Sequence, residues 1–94
     1  MSCYLVVESN ILDTEKLAQY SQQAAQTLKD YGGKFLIKGA VQALHGEQTF
    51  ANKAVIAFAS EQLAKDWYFS DAYQALTELR NQAMDSQFQL ITSQ

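Results

Sequence analysis

Residues 34–59 read KFLIKGAVQALHGEQTFANKAVIAFA, two apolar runs rich in β-branched and aromatic side chains on either side of a polar stretch. The first run, Lys34–His45, is a long extended segment: Phe35, Ile37, Val41 and Ala43 point one way, and Leu36, Ala40 and Leu44 the other. Gly39 in its middle predicts a bulge or a bend. Gly46–Asn52 is polar enough for a hairpin loop. Lys53–Ala59 is the return strand, with Val55 and Ala57 opposing Ile56 and Phe58. A hairpin that is apolar on both faces needs cover on both, so its flanks decide the architecture.

Upstream, Cys3–Glu8 is a short apolar strand bounded by Ser9-Asn10. Asp13 is then a good N-cap, and Glu15 places a carboxylate in the first turn of a helix. Leu17, Tyr20, Ala24, Leu28 and Tyr31 form its apolar stripe at spacings of three and four, opposite a wet face of Gln19, Gln22, Gln23, Gln26 and Lys29. Packing accounts for Tyr20 on that stripe. Gly32-Gly33 stops the helix, because glycine takes the left-handed conformation without a Cβ penalty.

Downstream, Ser60 caps a second helix whose apolar side is Leu63, Ala64 and Trp67. Ala72, Leu76, Leu79 and Ala83 make a further stripe. At about 100° per residue the two stripes differ by roughly half a turn, so one straight helix would expose one of them. The helix must break near Phe69-Ser70, with Ser70 capping the second piece and Asp71 at its positive end. Gln87–Ser93 alternates and closes the chain as a last strand.

The order β-α-β-β-α-β, with right-handed crossovers, predicts an α+β, ferredoxin-like fold: an antiparallel sheet with both helices on one face. Residues 1–94 make a single domain. The other face of the sheet is apolar too, and no residues remain to cover it, so a second copy of the chain is expected there.

Composition narrows the function classes. A 94-residue chain with 48% hydrophobic residues buries roughly 60–65% of its unfolded surface, enough for one core. The net charge is −3 and the pI is near 4.9. No Lys/Arg excess exists to neutralise phosphates, which argues against nucleic acid as a partner. The longest apolar runs, Cys3–Val7 and Ala54–Ala59, are too short to cross a bilayer. The first residues show no signal-peptide pattern, and one cysteine, Cys3, fits a reducing compartment, so a cytoplasmic location is expected.

Certain segments carry a resemblance. They are Tyr31-Gly32-Gly33-Lys34-Phe35-Leu36, then Leu44-His45-Gly46, Ala54–Phe58, and Trp67-Tyr68-Phe69-Ser70-Asp71-Ala72-Tyr73-Gln74-Ala75-Leu76 with Arg80 beyond. Together they resemble the family called domain of unknown function 1330, a branch of the dimeric α/β-barrel superfamily. The resemblance covers nearly the whole chain and implies the dimeric α/β-barrel fold and a homodimer. Three positions depart from the family pattern. His45 stands where a Glu usually precedes the glycine, Lys53 fills a position usually held by Arg, and Ser70-Asp71 replaces a Ser-Pro. Relatives in the superfamily include cofactor-independent monooxygenases, isomerases and haem enzymes, so the fold does not select a reaction.

One His and one Cys far apart in sequence form no metal-ligand motif, and no Gly-rich phosphate loop or nucleophile elbow is present. No metal or cofactor is therefore expected. His45 is the only imidazole in the chain, the side-chain type whose reference pKa lies nearest neutrality, which makes it the candidate catalytic acid or base, or else a solvated strand-end residue. Tyr73 and Arg80, seven residues apart, project onto one flank of the last helix. A phenol and a guanidinium there suit a small, partly apolar anion. The structural alternative has Tyr73 packed on the sheet and Arg80 paired with an acid or a partner chain. Trp67 would supply an apolar wall of the same pocket, with Tyr68 and Phe69 beside it at the break. Cys3 reads as a small core hydrophobe. Three classes stay open: a ligand-binding protein, a cofactor-independent small-molecule enzyme such as a monooxygenase or isomerase, and a purely structural interaction dimer. A shared pocket of His45, Tyr73 and Arg80 is the expectation that the coordinates decide first.

Overall fold

The computed structural model describes residues 2–93. Strand β1 (Cys3–Ile11) leads into helix α1 (Thr14–Leu28), and a 3-10 turn over Lys29–Tyr31 precedes β2 (Lys34–Ala40) and β3 (Asn52–Phe58). Helices α2 (Glu61–Tyr68), α3 (Asp71–Gln74) and α4 (Thr77–Ala83) come next, and β4 (Met84–Thr92) ends the fold. The sheet order is β2-β3-β1-β4, and every pair is antiparallel. This is the expected α+β, ferredoxin-like arrangement with the helices on one side.

Register divides the sheet into two faces. Cys3, Leu5 and Val7 pair with Phe58, Ile56 and Ala54 on one side and with Thr92, Leu90 and Phe88 on the other. These residues share the helix-covered face, and Cys3, Leu5, Val7, Ile56 and Phe58 are buried there with Tyr20, Ala24, Leu28, Ala64, Trp67 and Tyr73. The alternate positions Tyr4, Val6, Val55, Ala57 and Ile91 lie on the open face, where Ile91 is 56% exposed.

The helix ends follow the capping chemistry. The Asp13 carboxylate accepts from Lys16 N at 3.0 Å, and Ser60 Oγ accepts from Leu63 N at 3.1 Å. Gly32 takes φ 70°. Gly33 is required for a different reason, since a Cβ there would lie 2.6 Å from Leu28 Cδ2 and 2.9 Å from Phe58 Cε1. The helical break falls where the mismatched stripes demand it. Ser70 is extended at φ −65°, ψ 149°, and its Oγ accepts from Tyr73 N at 3.2 Å and donates to Trp67 O at 2.7 Å. We expect Ser70→Ala to cost about 0.5–2 kcal/mol through the lost cap. The check is the urea midpoint, which should fall at constant slope; an unmoved midpoint would show that the hydroxyl is dispensable.

Several boundaries and faces differ from the sequence reading. Strand β2 stops at Ala40 instead of reaching His45. Val41 N still donates to Ala51 O, but beyond it Ala43 N turns to the Gln48 side chain and Gly46 takes φ 86°, so the chain leaves the sheet. The bulge lies between Phe35 and Ile37, not at Gly39. It breaks the alternation, putting Phe35 opposite Ile56 on the helix face and Ile37 opposite Val55 on the open face. Strand β1 runs on to Ile11, and β4 starts at Met84, because Ile11 and Met84 pair. The last helical stretch is itself split, with Leu76 between α3 and α4. Its buried line is Tyr73, Leu76 and Ala83, and Ala72 faces out. A phenol that finds a buried partner displaces the smaller alanine from that stripe.

Candidate functional site

Between α1 and the helix-covered face of β1, β2 and β3 lies a cavity of about 340 Å³. Leu17, Tyr20, Ala24 and Leu28 of α1 form one wall, and Val7, Ala54 and Ile56 of the sheet form the other, with Trp67, Met84 and Phe88 at its end. Polar side chains are few: Ser9, Ser21, Asn52, Lys38 and Tyr20. Among the described residues no carboxylate lines it. A mostly apolar concavity with a handful of placed polar groups is the usual form of a small-molecule site.

Beside this cavity the sequence-predicted residues meet in part. Trp67 is 1% exposed, lines the cavity, and donates its indole N–H to Thr27 Oγ1 at 2.8 Å. Its ring centroid is 4.2 Å from that of Tyr73. Tyr73 is fully buried, and its hydroxyl lies 2.6 Å from that of Tyr20. Arg80 donates through Nη1 to Tyr73 Oη at 3.3 Å and to Tyr68 Oη at 3.1 Å, and through Nε to Asn81 Oδ1 at 3.3 Å. The guanidinium carbon is 5.0 Å from the Phe88 ring centroid and 5.9 Å from that of Tyr68, within reach of cation–π attraction.

Thus Trp67, Tyr73 and Arg80 are one cluster, held together by phenols and rings and not by an acid. Tyr73 and Arg80 stand behind the cavity instead of lining it. His45 is elsewhere. It sits on the exposed 42–50 loop, beside a separate recess shared with Glu8, Lys53 and Gln87. Glu8, Lys53 and Gln87 pair in register on the open face, on the far side of the sheet from Tyr73. The expected three-residue pocket is therefore corrected: β2 ends before His45, and the loop carries its imidazole away from the helices.

Tyr20 is the residue that the sequence reading left to packing. Its signal was present, because a tyrosine on a buried stripe carries a hydroxyl that must find a partner. Burial, with Tyr73 close by, raises the Tyr20 pKa far above the ordinary phenol range. Burial also raises Tyr73, although its bonds with Tyr20 and Arg80 offset part of the shift. Burial depresses Arg80, but the Tyr73 and Tyr68 hydroxyls outweigh it and leave the guanidinium above its ordinary value. The Tyr20 and Tyr73 phenols are neutral and the guanidinium is charged across the physiological range.

The sequence profile of the family described as "Domain of unknown function (DUF1330)" matches residues 2–94. The chain belongs to the DUF1330 family. No functionally curated protein matches this DUF1330 chain. Among solved structures it is similar to a protein of unknown function from Rhodopseudomonas palustris, at 16% identity and TM-score 0.79, covering 99% of this chain and 82% of that one. It is also similar to a variant of SnoaB, a cofactor-independent oxygenase from Streptomyces nogalater, at 14% identity and TM-score 0.67 over 99% and 93% of the two chains. A conserved protein from Methanosarcina mazei Go1 aligns at 14% identity and TM-score 0.58, over 100% and 95%. These likenesses show the fold of the DUF1330 chain, a ferredoxin-like α+β sheet with its helices on one side. No helix among its described residues is long and apolar enough to cross a membrane.

Proposed function

We propose that this DUF1330 protein is a cytoplasmic homodimer that binds a small, partly apolar anion in the cavity between α1 and the sheet. The observation that carries the reading is the lining of that cavity: apolar walls, Lys38 among its polar groups and no carboxylate. Lys38 pairs with Ala54 and so belongs to the helix-covered face. In this reading Lys38 supplies the charge, Trp67 the apolar wall, and Tyr73 and Arg80 brace that wall from behind. His45 has no part in the binding cavity. The buried Cys3 thiol fits a reducing compartment. The cofactor-independent enzyme reading draws on the likeness to SnoaB, which is a likeness of fold.

The test uses 2-naphthoate as the probe and the indole N–H resonance of Trp67, the one tryptophan in the chain. Titration should shift that resonance saturably. Lys38→Met should weaken binding about tenfold, the loss expected for one charge-assisted contact. His45→Ala should leave it unchanged. An indole resonance indifferent to 2-naphthoate would remove the cavity as its site, and an unaffected Lys38→Met variant would remove Lys38 as its charge.

A further inference from the structure

The three hydroxyls and the guanidinium beside the cavity can be assigned a direction by counting protons. Arg80 is donor-only, so Tyr73 Oη must accept from it. Tyr73 carries one proton of its own, and its hydroxyl is bonded to only one other group among the described residues, the Tyr20 oxygen. A fully buried O–H left without an acceptor is costly, and Tyr73, unlike Tyr20, does not line the cavity where an acceptor could reach it. The Tyr73 proton therefore goes to Tyr20. Because Tyr20 Oη then accepts at 2.6 Å, its own proton points away from Tyr73. No other hydrogen bond engages that hydroxyl among the described residues, and Tyr20 lines the cavity.

We propose that Tyr20 is the ligand-selecting donor of this site, presenting its O–H to a carbonyl, enolate or phenolate oxygen of the bound molecule. The relay runs Arg80 to Tyr73 to Tyr20 to ligand, each group donating to the next. Donation by a cation at one end polarises the chain and strengthens the last bond. The raised pKa values of both phenols keep the protons in place for this role. The ligand class narrows accordingly to a small apolar ring system bearing an oxygen acceptor. This inference rests on the cavity reading above and adds the specificity of its inner end.

The discriminating pair is 1-indanone and indane, near-identical in shape and differing by a carbonyl, each titrated against the Trp67 indole resonance. The wild-type protein should prefer 1-indanone by about three- to tenfold, the range of one net hydrogen bond. Tyr20→Phe should bind the two equally, and Tyr73→Phe should keep a reduced preference, since Tyr20 still donates but is no longer fed by Arg80. Equal wild-type binding, or a preference that survives Tyr20→Phe, would overturn the donor role and leave the cavity reading standing. If neither neutral probe binds while 2-naphthoate does, the donor role falls and the cavity reading stands; if none of the three binds, both fall. Should Tyr20→Phe not fold, the wild-type ratio and the Tyr73→Phe ratio decide.

Discussion

Trp67→Ala should lower the unfolding free energy by about 3–5 kcal/mol, the cost of truncating a large buried aromatic. Few positions combine so many roles. Trp67 is 1% exposed, its ring lies 5.8 Å from Phe58, 6.1 Å from Tyr68 and 4.2 Å from Tyr73, and its N–H reaches across to Thr27 of α1. It thus ties α2 to the sheet, to α3 and to α1 at once. Domains of this class hold about 5–15 kcal/mol in total, so the variant should lose much of its stability. Urea unfolding followed by far-ultraviolet circular dichroism measures the loss without needing the tryptophan signal. Trp67→Phe keeps a ring and gives up the bond to Thr27, and it should fall between the two. A loss below about 1 kcal/mol for Trp67→Ala would be a surface value, incompatible with Trp67 as the hub of this core.

The features legible in advance are those set by local rules. Asp13, Ser60 and Ser70 cap as their side chains require, and the half-turn mismatch between the Leu63–Trp67 side and the later stripe located the break. Where the reading failed, a non-local effect was at work. The bulge between Phe35 and Ile37 depends on how β2 registers against β3, and nothing in an alternating run marks the residue where alternation slips. Val41, Ala43 and Leu44 continue a strand-like pattern past the end of β2, whereas the loop there is fixed by Gly46 and by the Gln48 side chain. His45 lies on that loop. The Tyr73–Arg80 pairing was legible from their seven-residue spacing. Its partner Tyr20, 53 residues from Tyr73, could be found only by asking where a buried hydroxyl on α1 finds its bond.

The open face of the sheet leads to the second large effect. Tyr4, Val6, Val55 and Ala57 form an apolar patch at its centre, Ile91 is 56% exposed at one side, and the bulge turns Ile37, 68% exposed, toward the same face. Light scattering at micromolar concentration should give about twice the 10.5 kDa chain mass, with two such faces buried against each other. Val55→Asp should then return the mass of a single chain. Val55 sits on β3 between Val6 and Ile37, pointing away from the helices, so the substitution leaves the core packing of each protomer intact. In a two-fold interface every residue enters twice, and the variant places two unpaired carboxylates in an apolar contact. Each costs several kcal/mol to desolvate, enough to dissociate a dimer held at micromolar concentration. The circular dichroism spectrum should be unchanged, separating dissociation from unfolding. A wild-type monomer would mean that the apolar face tolerates water, and a Val55→Asp dimer would place the interface on another surface.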